Sequence, residues 1–180
     1  MEIKDTLNKP YSETERLNFI VENNHNMGYE IRETDEALEA WGFTENELLE
    51  QTRAKKKNEA LQKAYEYINN GAVFEYEEGK HIEANDATLT KLRLQETELI
   101  LKKKFDKTIE WCTFEDEKVI LNLEQLDFVV EGLKAEQTRV WIELYPEFLA
   151  MIKQAQSVEE LNAIVIDYKE IKRKLKARKK

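Results

Sequence analysis

The sequence predicts a helix-dominated α+β fold, and three observations carry that expectation. Charged residues make up 36% of the chain and hydrophobic ones 41%, with only 5 Gly and 2 Pro in 180 residues. High charge with few breakers suits helices better than a turn-rich β architecture. Ser12–Glu15, Thr44–Glu47 and Ser157–Glu160 fit the capping box, in which a hydroxyl and a glutamate three residues on satisfy each other's free amides. Twice, around residues 72–84 and 108–121, the apolar period changes from 3.6 to 2 across an acidic turn, as in hairpins.

The first capping box opens a helix with Leu17, Ile20, Val21 and Asn24 on one face, and Gly28 is a natural left-handed stop. Tyr29 to Arg32 reads as extended. Thr34 is expected to cap a brief helix through Trp41, so residues 1–44 form an N-terminal helical hook. Residues 45–70 are a linker helix whose middle, Gln51 to Glu59, is polar all round; such a helix bridges packed units, which places a domain boundary near residue 55. Residues 71–156 read as a hairpin–helix–hairpin–helix domain. Its first hairpin turns at Glu77-Glu78-Gly79 and its second at Glu115-Asp116-Glu117, while Asn85 or Asp86 and then Asn122 cap the two helices. Pro146 is placed to kink the second of these. Residues 157–180 complete the chain as one C-terminal helix with a basic tail. From residue 45 onward the order is α-ββ-α-ββ-α-α.

Composition also narrows function. No apolar run approaches the roughly 20 residues that cross a bilayer, and MEIKDTLNKP lacks the apolar core of a secretory signal, so a cytosolic product without membrane contact is expected. One cysteine, Cys112, excludes an internal disulfide and any multi-cysteine metal site. Eight basic residues and one acidic one between Lys169 and Lys180 give that segment +7, which leaves −16 on residues 1–168 of a chain whose net charge is −9. So acidic a body repels nucleic acid. The basic end reads first as cations complementing a helix C-terminus.

No constellation of residues supports an enzyme or a cofactor. His25 and His81 have no ligand spacing, glycine is too rare for a phosphate cradle, and Cys112 has no basic neighbour to activate it. Trp111, Phe128, Trp141, Tyr145 and Phe148 crowd the second half, where helical spacing makes them core residues before interface residues. The long C-terminal helices also allow association between copies of the chain.

Two stretches carry a resemblance. Phe74, Gly79, Lys80 and Asp86, then Trp111, Asp116, Val119 and Leu121, fall on the pattern of a small domain found on bacteriophage tail proteins. Ile82 stands where that pattern often has an aromatic, and Asn122 replaces its threonine cap. Leu7 to Tyr11, Phe19 to His25, Gly28 to Ile31 and Glu33 to Gly42 resemble the start of short proteins encoded beside tail-fibre genes in phages and prophages of Gram-positive anaerobes. The resemblance implies a tail accessory protein, an assembly factor or chaperone acting in the host bacterial cytoplasm. Its implied partner is the tail fibre or receptor-binding protein. It carries no catalytic residues. The expected contact groups are Tyr11, Phe19, Tyr29 and Trp41 in the hook and Phe74, Tyr76 and Trp111 in the hairpins. The alternative is a structural tail or baseplate component that clamps the fibre and stays in the particle. A nucleic-acid-binding regulator and an enzyme rank behind both.

Overall fold

A computed structural model of the chain describes residues 1–178, so Lys179 and Lys180 of the basic tail lie outside the described residues. The fold is α+β and helix-dominated, 59% helix to 19% strand, as the composition predicts. It divides into two compact units, Met1–Ala54 with Gln156–Leu161, and Lys55–Ala155 with Asn162–Lys180.

The first unit corrects the expectation of a helical hook. It holds a three-stranded antiparallel sheet in the order β1 (Glu2–Asn8), β3 (Ala37–Gly42), β2 (Glu30–Glu33), and between β1 and β2 a helix, α1 (Glu13–Ile20), that continues in a π-helical stretch over Val21–Asn26. Ser12 closes the expected capping box at α1. Gly28, at φ +73°, ends the helical path. Thr34 does bind nearby backbone, but it closes a hairpin turn: its amide donates to Ala37 O and its Oγ1 accepts from the Ala37 amide. The segment after it is the central strand. Leu38 and Ala40 point to the core beside Phe19, while Glu39 and Trp41 face outward. Ala, Leu and Glu favour helices in isolation, and pairing on both sides overrides that preference here.

The buried face of this helical segment is not the one its apolar spacing suggests. Phe19 and Asn23 turn inward, whereas Leu17 and Val21, expected in the core, are exposed. Buried Asn23 is satisfied, its Nδ2 donating to Asp5 Oδ2 at 3.0 Å and to Phe19 O at 3.2 Å. Gly42 is required by packing, since a Cβ there would stand 2.9 Å from the Tyr29 ring.

Helix α2 (Glu45–Asn70) starts at the Thr44 capping box, where Thr44 N and Oγ1 both bond Glu47. None of its residues before Ala60 is buried; Ala60, Ala64 and Ile68 then are. The division between the units falls inside this helix, between Ala54 and Lys55.

In the second unit both expected hairpins are present, β4 (Val73–Glu77) with β5 (Lys80–Glu83) and β6 (Ile109–Cys112) with β7 (Lys118–Leu121). Asn85 caps α3 (Asp86–Leu101) and Asn122 caps α4 (Leu123–Arg139). The core gathers Ile82, Leu92, Leu99, Val119 and Leu121 around Leu126, Val129, Val130 and Leu133 of α4. After α4 comes a π-helical turn over Val140–Leu144, then α5 (Tyr145–Gln154) with Pro146 in its first turn. Pro146 has no amide to donate four residues back, so the helix is interrupted just ahead of it rather than inside it.

The single C-terminal helix of the sequence reading is two. Ser157 starts α6 (Val158–Ala163), the chain opens over residues 164–167, and α7 (Tyr168–Arg178) begins. Asp167 Oδ1 accepts the amides of Lys169 and Glu170, an N-cap within what looked like continuous helix. β-branched Ile164, Val165 and Ile166 precede it and favour the extended chain. Tyr168 then buries its ring against Phe148 and Tyr67, and its hydroxyl donates to Ala60 O at 2.9 Å.

Gly132 lies inside α4 directly beneath the Phe74 ring, and a Cβ at that position would overlap three atoms of the ring. Gly132→Ala should therefore destabilise the protein by about 1–3 kcal/mol despite its better helix propensity. Adding Phe74→Ala should remove most of that penalty, and urea melts of the single and double variants check the coupling.

Candidate partner-binding surfaces

The seven aromatic residues expected to contact a partner fall into two groups of different character. In the first unit, Phe19 is buried, and Tyr11 and Tyr29 pack half-buried against the same cluster. Phe19 is thus a core residue, not a surface contact. Tyr11 keeps its edge accessible, its hydroxyl donating to Glu33 at 2.9 Å, with Lys9 and Arg16 flanking that carboxylate at 3.2 and 3.5 Å. The Tyr11 hydroxyl bond is the first cause holding the Glu33 carboxyl below its ordinary range.

Trp41 lies on the outer face of the sheet. Its Nε1 donates to Glu39 at 2.8 Å, and the Arg32 guanidinium lies 4.7 Å from its ring centre. Glu30 pairs with Arg32 at 2.9 Å, and that bond lowers the Glu30 carboxyl. Register sets Ile3, 46% exposed, directly opposite Trp41. This makes a small apolar patch with a charged border on an otherwise polar sheet face.

In the second unit, Phe74, Tyr76 and Trp111 are half-buried and pack on the core. Phe74 meets Phe128 edge to face at 5.5 Å. Tyr76 is the extra residue of a β-bulge, since Glu75 pairs with His81 and Glu77 with Lys80. Burial, the largest cause, raises its hydroxyl's pKa. Trp111 lies with Ile109 on the inner face of β6, while Cys112 is exposed on the outer face.

The two hairpins are joined by groups that spacing did not single out. Glu115 accepts the His81 amide on Oε2 at 2.9 Å and faces His81 Nδ1 through Oε1 at 2.7 Å, while the Phe114 amide donates to His81 O at 2.8 Å. The His81 amide is the foremost cause that lowers the Glu115 carboxyl to about 2.

A second feature missed by sequence reasoning is a cleft of about 310 Å³ lined by Tyr67, Asn70, Gly71, Val73, Phe114, Lys169, Lys172, Arg173 and Lys176. Its signal was present in the spacing, because cations at 169, 172, 173 and 176 fall on one helical face. A different depression, about 560 Å³, is lined by Glu96, Glu124 and Asp127 beside Ile100 and Phe105. Burial, reinforced by Asp127, raises the Glu96 carboxyl there. Among the described residues no group of three or more His, Cys, Asp or Glu is arranged to hold a metal ion, and no helix is long and apolar enough to cross a membrane.

No protein-family model, curated protein or solved structure matches this chain. The surfaces must therefore be read from their own chemistry. They offer apolar and aromatic groups, paired charges and strand edges, the materials of a protein contact.

Glu115 gives a test of the hairpin junction. A carboxyl lowered in the folded state contributes stability above its unfolded pKa of roughly 4.3, and loses it as pH falls through the folded value. Glu115→Gln should accordingly lower the melting temperature at pH 6, and the gap to the parent protein should close as pH falls from about 4 toward 2. Thermal melts across that range check the sign.

Proposed function

We propose that this chain is a bacteriophage tail accessory protein that binds the tail fibre or receptor-binding protein and assists its folding or assembly. One observation carries the geometric side of the reading. Strand is split among three small antiparallel sheets, so among the described residues β1, β2, β4, β6 and β7 each have a side that no other strand pairs, while β5 meets Phe114 and Glu115 on that side. An unpaired edge presents a row of backbone donors and acceptors that accepts an added extended segment.

Exposed apolar side chains accompany these strands: Ile3 on β1, Ile120 on β7, and Phe114 just beyond β6. A fibrous partner exposes such segments before its subunits close on one another, and a helper that pairs with them limits aggregation. The resemblance of residues 7–42 and 72–121 to tail-associated proteins supports the same reading. On it the protein works in the host bacterial cytoplasm during assembly, without a catalytic centre or cofactor.

Purified tail particles and unassembled fibre from the same gene cluster, compared by quantitative mass spectrometry, test the proposal. Recovery with unassembled fibre and loss from finished particles is the expected outcome for an assembly factor. A fixed ratio to fibre in the particle would instead make the chain a permanent clamp, and absence from both would remove the tail reading. Trp41→Ala is expected to weaken capture of the fibre by about tenfold while leaving the melting temperature within a few degrees, because the ring lies on the outer sheet face.

A further inference from the structure

We propose that the cleft between α7 and the start of β4 binds a short acidic segment of a partner polypeptide, anchored by one aromatic or aliphatic side chain. The cleft lies wholly in the second unit. Tyr67, Val73 and Phe114 provide its apolar surface, and four cations of α7 line it. Phe114 is 58% exposed beside buried Thr113, so an aromatic face is left open at the cleft. Tyr67 is held in place by stacking on Tyr168 at 5.7 Å.

The charges are graded. Lys172 is committed to Glu136 at 2.6 Å, and Arg173 reaches Glu170 at 3.3 Å from a largely exposed position. Lys169 and Lys176, both exposed, have no ion pair among the described residues. Seven residues of helix separate them, a rise of about 10 Å. That spacing matches three or so residues of extended chain at roughly 3.3 Å each.

A row of this length suits a linear anion better than a single phosphate, which needs donors converging on one point. It also disfavours a long polyanion. Residues 1–168 carry −16, so a nucleic acid extending past the cleft meets repulsion that a short acidic peptide avoids. An apolar lining and a row of cations together require both parts of the occupant. Acid alone would leave the aromatic surface wet, and an apolar side chain alone would leave the lysines unmatched.

This inference rests on the reading of the chain as a protein-binding protein, but its test needs no fibre. Fluorescence anisotropy with the full chain would use labelled peptides of about ten residues, long enough to overrun the row. One alternates Glu with Phe, one Gln with Phe, and one Glu with Ser; an oligothymidylate of similar length is the polyanion probe. The Glu/Phe peptide should bind with an affinity that falls with salt, and each control peptide should bind about tenfold more weakly or worse.

Lys169→Glu, Lys176→Glu and Phe114→Ala change exposed side chains and should each weaken the Glu/Phe peptide while far-UV circular dichroism stays unchanged. Equal binding of the Gln/Phe peptide would overturn the proposal. So would oligothymidylate binding more tightly than peptide and responding to the same reversals. Light scattering that shows a dimer abolished by Lys176→Glu would assign the cleft to a second copy of this chain and overturn it as well. Failure of the peptide assay leaves the fibre reading standing, and loss of the fibre reading leaves peptide capture standing.

Discussion

The second unit depends on one close approach, the ring of Phe74 against the backbone of Gly132 in α4. Glycine inside a helix costs roughly 0.5–1 kcal/mol relative to alanine. Here its missing side chain lets the first hairpin settle onto the helix, and Phe128 on the same helix holds the ring from the side. Once β4 is fixed, Ile82 of its partner strand enters the core with Leu126, Val129 and Leu133. The second hairpin contributes Val119 and Leu121 to that core, and the Glu115–His81 contacts tie it to the first hairpin. Phe74 is therefore as much a structural wedge as a surface residue.

Where chemistry was local, the sequence was readable. Capping boxes at Ser12 and Thr44, the Asn85 and Asn122 caps and both hairpins depend on residues within a few positions of one another. The failures have physical causes that no short window contains. Strand β1 offers only Ile3 and Leu7 as apolar residues, and a bulge at Lys4 puts them on opposite faces, so no alternation appears. β3 is written in helix-forming residues and becomes a strand because β1 and β2 flank it. At the chain's end, the periodic pattern ran straight across Asp167, whose capping role shows only when its backbone bonds are seen.

The candidate contact residues were legible in type but not in exposure. Aromatic residues stand out in any sequence, yet Phe19 is buried because α1 turns it onto Leu38 and Ala40, while Trp41 faces outward because of its place in β3. The α7 cations were visible as a charged block and were read as a helix terminus. Their second property, a shared face beside Tyr67 and Phe114, needs the tertiary fold to bring residues 114 and 169–176 together. Both surfaces combine apolar side chains with charge.

The exposed thiol of Cys112 has a practical consequence. It is the chain's only sulfhydryl and lies on the solvent side of β6, at the end of that strand and two residues before Phe114 in the sequence. Thiol reagents therefore have a single address. A fluorophore or spin label attached there would sit two residues from cleft-lining Phe114 without disturbing the inner face that Ile109 and Trp111 turn to the core. Occupancy of the cleft could then be followed as a change in the probe's mobility, with no engineered residue in the protein.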